Sequence, residues 1–336
     1  MLTLAQEAQL AQTREAKNTS GKADNVPTLI PVALNTLLPT SVLNYDLYLW
    51  SGGHFQPVLY RKRDLPFTTD DVDRLLDAEV STLYVLIEDH VKYRREFQEG
   101  ILNHSVSPLE RYRALKELNR CTFEAAFQGR NLNRAVQIAN KHASQLVTIM
   151  CDRDLVLQDL FRLMDHDYYT YAHATNVSAY SVMLAFELGY CDETDLASIG
   201  TAALLHDLGK RSIPSSILNK PGSLTQWERN LVQDHPRTSF DELSVRGDFS
   251  WDQLMLIYQH HERINGSGYP VGLYGDEIHP WAKICAIADV FDALTSERPY
   301  RQPDSVEKTC EMLFRSVEDF DKEMVKCWTS TVMPRQ

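Results

Sequence analysis

Five histidines and two aspartates in the C-terminal half of the chain are of the types that build a transition-metal centre. They are His173, the pair His206-Asp207, His235, the pair His260-His261, and Asp289. Imidazole nitrogens give affinity for Fe, Mn or Zn, and carboxylates bridge ions and offset their charge. The steps between them run from about 25 to 33 residues. Each ligand would then come from a different helix, as expected when a metal site is built in the core of a helical bundle.

The local sequence indicates how each residue would be held. His173, Val177, Tyr180 and Leu184 follow helical spacing and place the histidine on a buried stripe. Alone, such a histidine would be a core residue bonded to a carbonyl. Ala202-Ala203-Leu204-Leu205 runs directly into His206 and Asp207. A carboxylate at the edge of an apolar run is costly unless paired, and metal ions would remove that cost. Lys210 lies one turn beyond Asp207 and would face the same side. Pro236 restricts the backbone at His235 and favours a helix boundary there. His260 and His261, about 100° apart on a helix, can serve one ion only near a helix end, which Gly266-Ser267-Gly268 would supply. Asp289 sits in Ile284–Phe291, apolar nearly all round and so expected to be a buried helix.

The remaining chain bounds the architecture. With 336 residues there is length for two domains. The composition, 43% hydrophobic and 24% charged, excludes bulk disorder. A net charge of −12 argues against a nucleic-acid-binding surface or a polybasic membrane patch. No apolar run is long enough to span a bilayer, and the N-terminus lacks a secretory pattern, so membrane insertion is not expected and the cytoplasm is. The six cysteines form no Cys-x-x-Cys pair and read as reduced core thiols. Residues 1–25 read as a polar tail. Residues 26–90 read as a small α+β accessory domain. Within it, Asn44–Trp50 and Gln56–Tyr60 flank a Gly-Gly turn as a β-hairpin, Thr68–Asp71 starts a helix through Leu76, and Ser81–Ile87 forms a strand. Residues 91–150 read as linking helices, whose apolar positions suit intramolecular packing or a homodimer seam. Residues 151–336 read as an all-α domain with the metal centre in its core. The fold class is therefore mainly α.

Over roughly residues 150–325 the chain resembles the HD-GYP family, cyclic di-GMP phosphodiesterases of the HD phosphohydrolase superfamily. The resemblance rests on ordered strings: Tyr168–His173, His206–Lys210, Leu218–Gly222, His235-Pro236, His260–Pro270, Ala288–Ser296 and Arg298–Arg301. It implies an HD-type helical domain that hydrolyses bacterial cyclic di-GMP, to linear pGpG or as far as GMP, with a metal-bound hydroxide at a binuclear centre. It assigns His173, His206, Asp207 and Asp289 to one ion and His235, His260 and His261 to the other, around a bridging Asp207. The ions would be Fe or Mn, with Zn, Ni or Mg as the other candidates. Lys210, Arg298 and Arg301 would hold phosphate oxygens, and Asp292 would orient Lys210 or a water. Tyr269 reads equally as a packing residue or as part of a Gly268-Tyr269-Pro270 loop that contacts substrate or docks signalling proteins. Two positions depart from the family pattern. Tyr169 stands where some members carry a glutamate for a third metal, so two metals are expected. Asn265 stands where aspartate is usual, which bears on recognition by the loop. Two alternatives stand beside the enzyme: a weak or inactive module that binds the dinucleotide or a partner, and an HD phosphohydrolase of another nucleotide.

Overall fold

In the computed structural model of the chain the described residues are 28–34, 37, 41–49, 57–78, 80–101, 107–112, 114–116, 131–151, 170–296, 302–316 and 318–333. Two units separate after Cys121.

The first unit contains strands β1 (Leu29–Ala33), β2 (Ser41–Val42), β3 (Leu47–Leu49), β4 (Val58–Arg61), β5 (Pro66–Phe67) and β6 (Thr82–Leu86), with helices α1 (Thr69–Asp77) and α2 (His90–Ile101). In β6, Leu83 and Val85 are fully buried and their neighbours are not, the period-two signature of a strand with one covered face. β6 lies between β1 and β3 in an antiparallel sheet of order β1-β6-β3-β4. The expected hairpin strands pair as β3 and β4, with a bulge between Leu47 and Tyr48; their turn lies outside the described residues. α1 starts where its sequence indicates. Thr68 and Asp71 form a reciprocal capping box, and the buried Asp71 carboxylate also pairs with Arg61 and Arg74. Leu75 of α1 and Tyr93 of α2 join Leu47, Phe67 and Leu83 in the core of this unit.

The second unit is helical: α3 (Leu132–Met150), α4 (Thr170–Glu187), α5 (Glu193–Leu205), a 3₁₀ turn (Leu208–Ser212), α6 (Ser215–Leu218), α7 (Gln226–Gln233), α8 (His235–Ser244), α9 (Trp251–Gln259), α10 (Pro280–Thr295), α11 (Val306–Arg315) and α12 (Lys322–Val332). α5 packs against α3, α4 and α9, and α10 packs against α4 and α9. The residues of α5 and α10 are buried on several faces, as their apolar sequences require. Tyr180 of α4, Phe291 of α10 and Trp328 of α12 meet edge to face with centroids 5.0 to 5.5 Å apart, and pin these three helices together. The described cysteines are free thiols. No helix among the described residues is long and apolar enough to cross a membrane.

α3 carries a buried titratable group, His142, whose imidazole burial pushes down from 6.5 to about 4. The unfolded chain therefore takes up a proton at a pH where the folded chain does not. This cost is absent above pH 6.5 and grows as pH falls toward 4, where it reaches about 3 kcal/mol. Replacing His142 with Leu should flatten the loss of stability across that window in urea titrations at pH 7, 6 and 5. An unchanged pH slope would contradict the assignment.

Candidate metal centre

The predicted ligands sit largely at helix ends. α5 closes at His206 and hands Asp207 to the 3₁₀ turn. His235 opens α8, with Pro236 in its first turn, and α9 closes at His260, so His261 turns off the helix axis. His173 lies inside α4 and Asp289 inside α10. This explains how two adjacent histidines face one point.

The seven side chains converge in two groups. Ligand atoms of Asp207, His235, His260 and His261 lie within 4.8 Å of one another, and so do those of His173, His206 and Asp289. Asp207 faces both groups, one oxygen each way. Its Oδ1 is 3.0 Å from His235 Nε2 and 3.9 Å from His260 Nε2. Its Oδ2 is 3.4 Å from His206 Nε2 and 3.8 Å from His173 Nε2. Asp289 Oδ1 lies 3.2 Å from His173 Nε2, and Oδ2 lies 3.8 Å from His261 Nδ1.

The backbone fixes the imidazoles. Nδ1 of His206, His235 and His260 each donates to a carbonyl three residues earlier: Ala203, Val232 and Ile257, at 2.6, 2.7 and 2.8 Å. A carbonyl can only accept, so each Nδ1 carries the proton and each Nε2 presents a lone pair to the centre. His206 Nε2 and Asp207 Oδ1 are buried without a hydrogen-bond partner. Orphaned buried acceptors are costly, and a divalent cation satisfies them, so this donor set fits a metal pair.

The electrostatics of four ligands agree, whereas His173 is raised well above its usual range, burial being outweighed by its bonds to Asp289 and Asp292. Burial alone would raise the Asp207 carboxyl, but the surrounding His206 imidazole and the Lys210 ammonium at 2.5 Å hold it well below the carboxylate range. Asp289 is likewise held low against burial by His173 and His261. Burial, joined by repulsion from neighbouring imidazoles, pushes His260 well down, and burial also dominates the lowering of His261. Both are then neutral and able to coordinate.

Lys210 reaches Asp207 Oδ2 at 2.5 Å, so its ammonium stands at the rim of the centre. Asp292 requires a correction. It is fully buried behind His173 rather than beside Lys210 or a substrate-side water. Its Oδ2 takes His173 Nδ1 at 2.7 Å and its Oδ1 takes Asn176 Nδ2 at 2.8 Å. One turn beyond Asp289 points inward, because α10 is covered on that face too. Tyr269 stacks on His261 with centroids 4.6 Å apart. Asn265 is engaged away from the ligands: its amide donates to Asp319 at 2.9 Å, and its oxygen accepts from Ser267 N–H. Aspartate there would set two carboxylates against each other. Arg298, Arg301 and Tyr169 lie outside the described residues.

Three supporting residues escaped the sequence reading. Asn176 orients Asp292. Ser239 Oγ accepts from Gly209 N–H and contacts the carbonyls of His206 and His235, tying the 3₁₀ turn to α8. Glu262, buried beside the two histidines, accepts backbone N–H groups of the following loop. A polar residue one turn from His173 on a buried stripe was a readable hint for Asn176. The other two depend on partners remote in sequence or beyond a glycine-rich loop.

Residues 156–324 match the family model described as HD domain. The chain belongs to the HD domain family. Its ordered strings from Tyr168 to Arg301 resemble those of the HD-GYP branch. The chain aligns with the cyclic di-GMP phosphodiesterase PA4108 of Pseudomonas aeruginosa at 35% identity, over 61% of this chain and 50% of that protein. It also aligns with the cyclic di-GMP phosphodiesterase response regulator RpfG of Xanthomonas campestris at 33% identity, over 66% of this chain and 58% of that one. A 3′3′-cGAMP-specific phosphodiesterase of Vibrio cholerae, number 3, is 39% identical over 42% of this chain and 30% of its own length. The chain thus spans about half the length of the first two relatives. The fold is shared with Bd1817, an HDG"Y"P protein of Bdellovibrio bacteriovorus, at TM-score 0.65 and 21% identity over 90% of this chain and 99% of that one.

Gly209 allows the HD turn to lie on α8, since a Cβ there would overlap the His235 carbonyl oxygen. Gly209→Ala should push the turn and Asp207 off α8 and weaken metal binding about 10- to 100-fold, read as metal content after dialysis. Wild-type metal retention would refute this account of the turn.

Proposed function

We propose that this HD domain chain is a metal-dependent phosphodiesterase that opens cyclic di-GMP to linear pGpG, with GMP as the alternative end product. The observation that carries the reading is the Asp207 carboxylate, whose two oxygens face two separate sets of ligands. His235, His260 and His261 would hold one divalent ion and His173, His206 and Asp289 the other, with Asp207 common to both. When bound, such a pair supplies Lewis acidity at the phosphorus and an acidified water for attack. The mixed nitrogen and oxygen donors suit Fe or Mn.

The chain's own groups do the rest. Asp292, held by Asn176, fixes the ring of His173. The Nδ1–H bonds keep three more imidazoles in the coordinating tautomer. Lys210 at the rim is positioned to take a non-bridging phosphate oxygen and stabilise charge that grows during cleavage. Arg298 and Arg301 would add bidentate contacts to the phosphates. The relatives named for cyclic di-GMP support the substrate, and their bacterial sources support a role in bacterial cytoplasmic signalling. A second reading, hydrolysis of 3′3′-cGAMP, is favoured by the 39% identity to a Vibrio cholerae enzyme of that name. The engagement of Asn265 with Asp319 leaves the ligand set untouched.

Purified protein loaded anaerobically with Fe(II) or Mn(II) should convert cyclic di-GMP to pGpG, and faster than it converts 3′3′-cGAMP. Asp207→Ala should lose more activity than the roughly 10- to 100-fold typical of losing an outer-shell partner. Undiminished turnover in Asp207→Ala would refute the site. Preference for 3′3′-cGAMP would transfer the assignment to the second reading.

A further inference from the structure

Glu262 follows the two histidine ligands directly but belongs to neither ligand group. Its side chain is almost wholly buried, at 2% exposure. A carboxylate there needs compensation, and no cation pairs with it among the described residues. Backbone N–H groups fill that need. Oε1 accepts from Val271 at 2.8 Å and Gly272 at 3.2 Å, and Oε2 accepts from Gly272 and Leu273, both at 3.0 Å. Three successive amides thus converge on one anion, a backbone nest of the kind that binds free anions elsewhere.

The consequence is a closed loop. Residues 263–273 leave α9 and return to Glu262. Gly268 passes so close that a Cβ would overlap the Glu262 backbone. Tyr269 N–H donates to the His261 carbonyl at 3.2 Å, and its ring covers His261 with planes 30° apart. Burial raises the Tyr269 phenol, with Asp289 and Asp207 adding to the effect, so the ring forms a neutral wall beside the centre.

We infer that Glu262 is a positioning residue: by gathering the amides of Val271–Leu273 it holds Tyr269 over His261 and shapes the substrate side of the metal centre. It acts through the loop rather than on the ions. Substitution should therefore loosen substrate binding while leaving the metals in place. The kinetic part of this inference rests on the proposed phosphodiesterase activity, and the structural part does not.

Glu262→Gln keeps the size of the side chain but turns an NH2 group toward backbone donors. Hydrogen exchange in the full-length variant should accelerate about 10- to 100-fold at Val271, Gly272 and Leu273. Amides of α10 and the metal content should stay as in the wild type. The KM for cyclic di-GMP should rise about tenfold with a much smaller change in kcat. Tyr269→Ala should raise KM similarly, and the double variant should be no worse than Tyr269→Ala alone, since both act through one contact. If Glu262→Gln does not fold, Glu262→Asp, one methylene short but still charged, carries the same comparison. Wild-type protection of the three amides, or KM penalties that add in the double variant, would overturn the inference. Absence of turnover by the wild type would sink the proposed activity and leave the exchange comparison to decide the role of Glu262.

Discussion

The helical unit is organised around one buried carboxylate. Asp207 is only 4% exposed, with a second aspartate and five imidazoles around it. An unpaired anion in such a place costs several kcal/mol. Every nearby element supplies compensation: Lys210 from the 3₁₀ turn, His235 from α8, His260 and His261 from α9, and His173 and His206 from α4 and α5. Removing the Lys210 ammonium from beside a buried carboxylate is the kind of change that destabilises most, so the geometry of the centre and fold stability are coupled here.

The helix termini convert this requirement into geometry. Helix ends leave backbone groups unsatisfied, and the last turns of α5 and α9 use theirs to orient ligands. Ala203 and Ile257 accept from the imidazoles of His206 and His260, so carbonyls near the helix C-terminus set the tautomer of the metal-facing ring. The same ends let the chain change direction, which brings His206 and Asp207, or His260 and His261, to bear on one point. The aromatic contact of Tyr180, Phe291 and Trp328 holds α4 and α10 in register behind the site, so that His173 and Asp289 meet.

Much of this was legible before the fold. The ligand residues appear as ordered strings because metal binding demands particular residue types, and their apolar approaches mark burial directly. The hairpin strands and the α1 cap were readable for the same reason: alternation and capping are local properties. The supporting residues were harder to place. Asp292 is one turn from Asp289, and a surface reading put it with the substrate, yet α10 is enclosed on both faces and the carboxylate turns to His173 and Asn176. Asn265 read as a departure bearing on recognition by the loop, and its amide is matched to Asp319, 54 positions away. Sequence shows that a polar group is present; its partner is set by packing between distant segments.

The central claim is that a single carboxylate joins two metal subsites. The most direct test is a crystal structure of Mn- or Fe-loaded protein with the ions located by anomalous scattering. The account expects two peaks, one on the His235, His260 and His261 side and one on the His173, His206 and Asp289 side, with Asp207 ligating both. A single peak, or two peaks of which Asp207 touches only one, would contradict it.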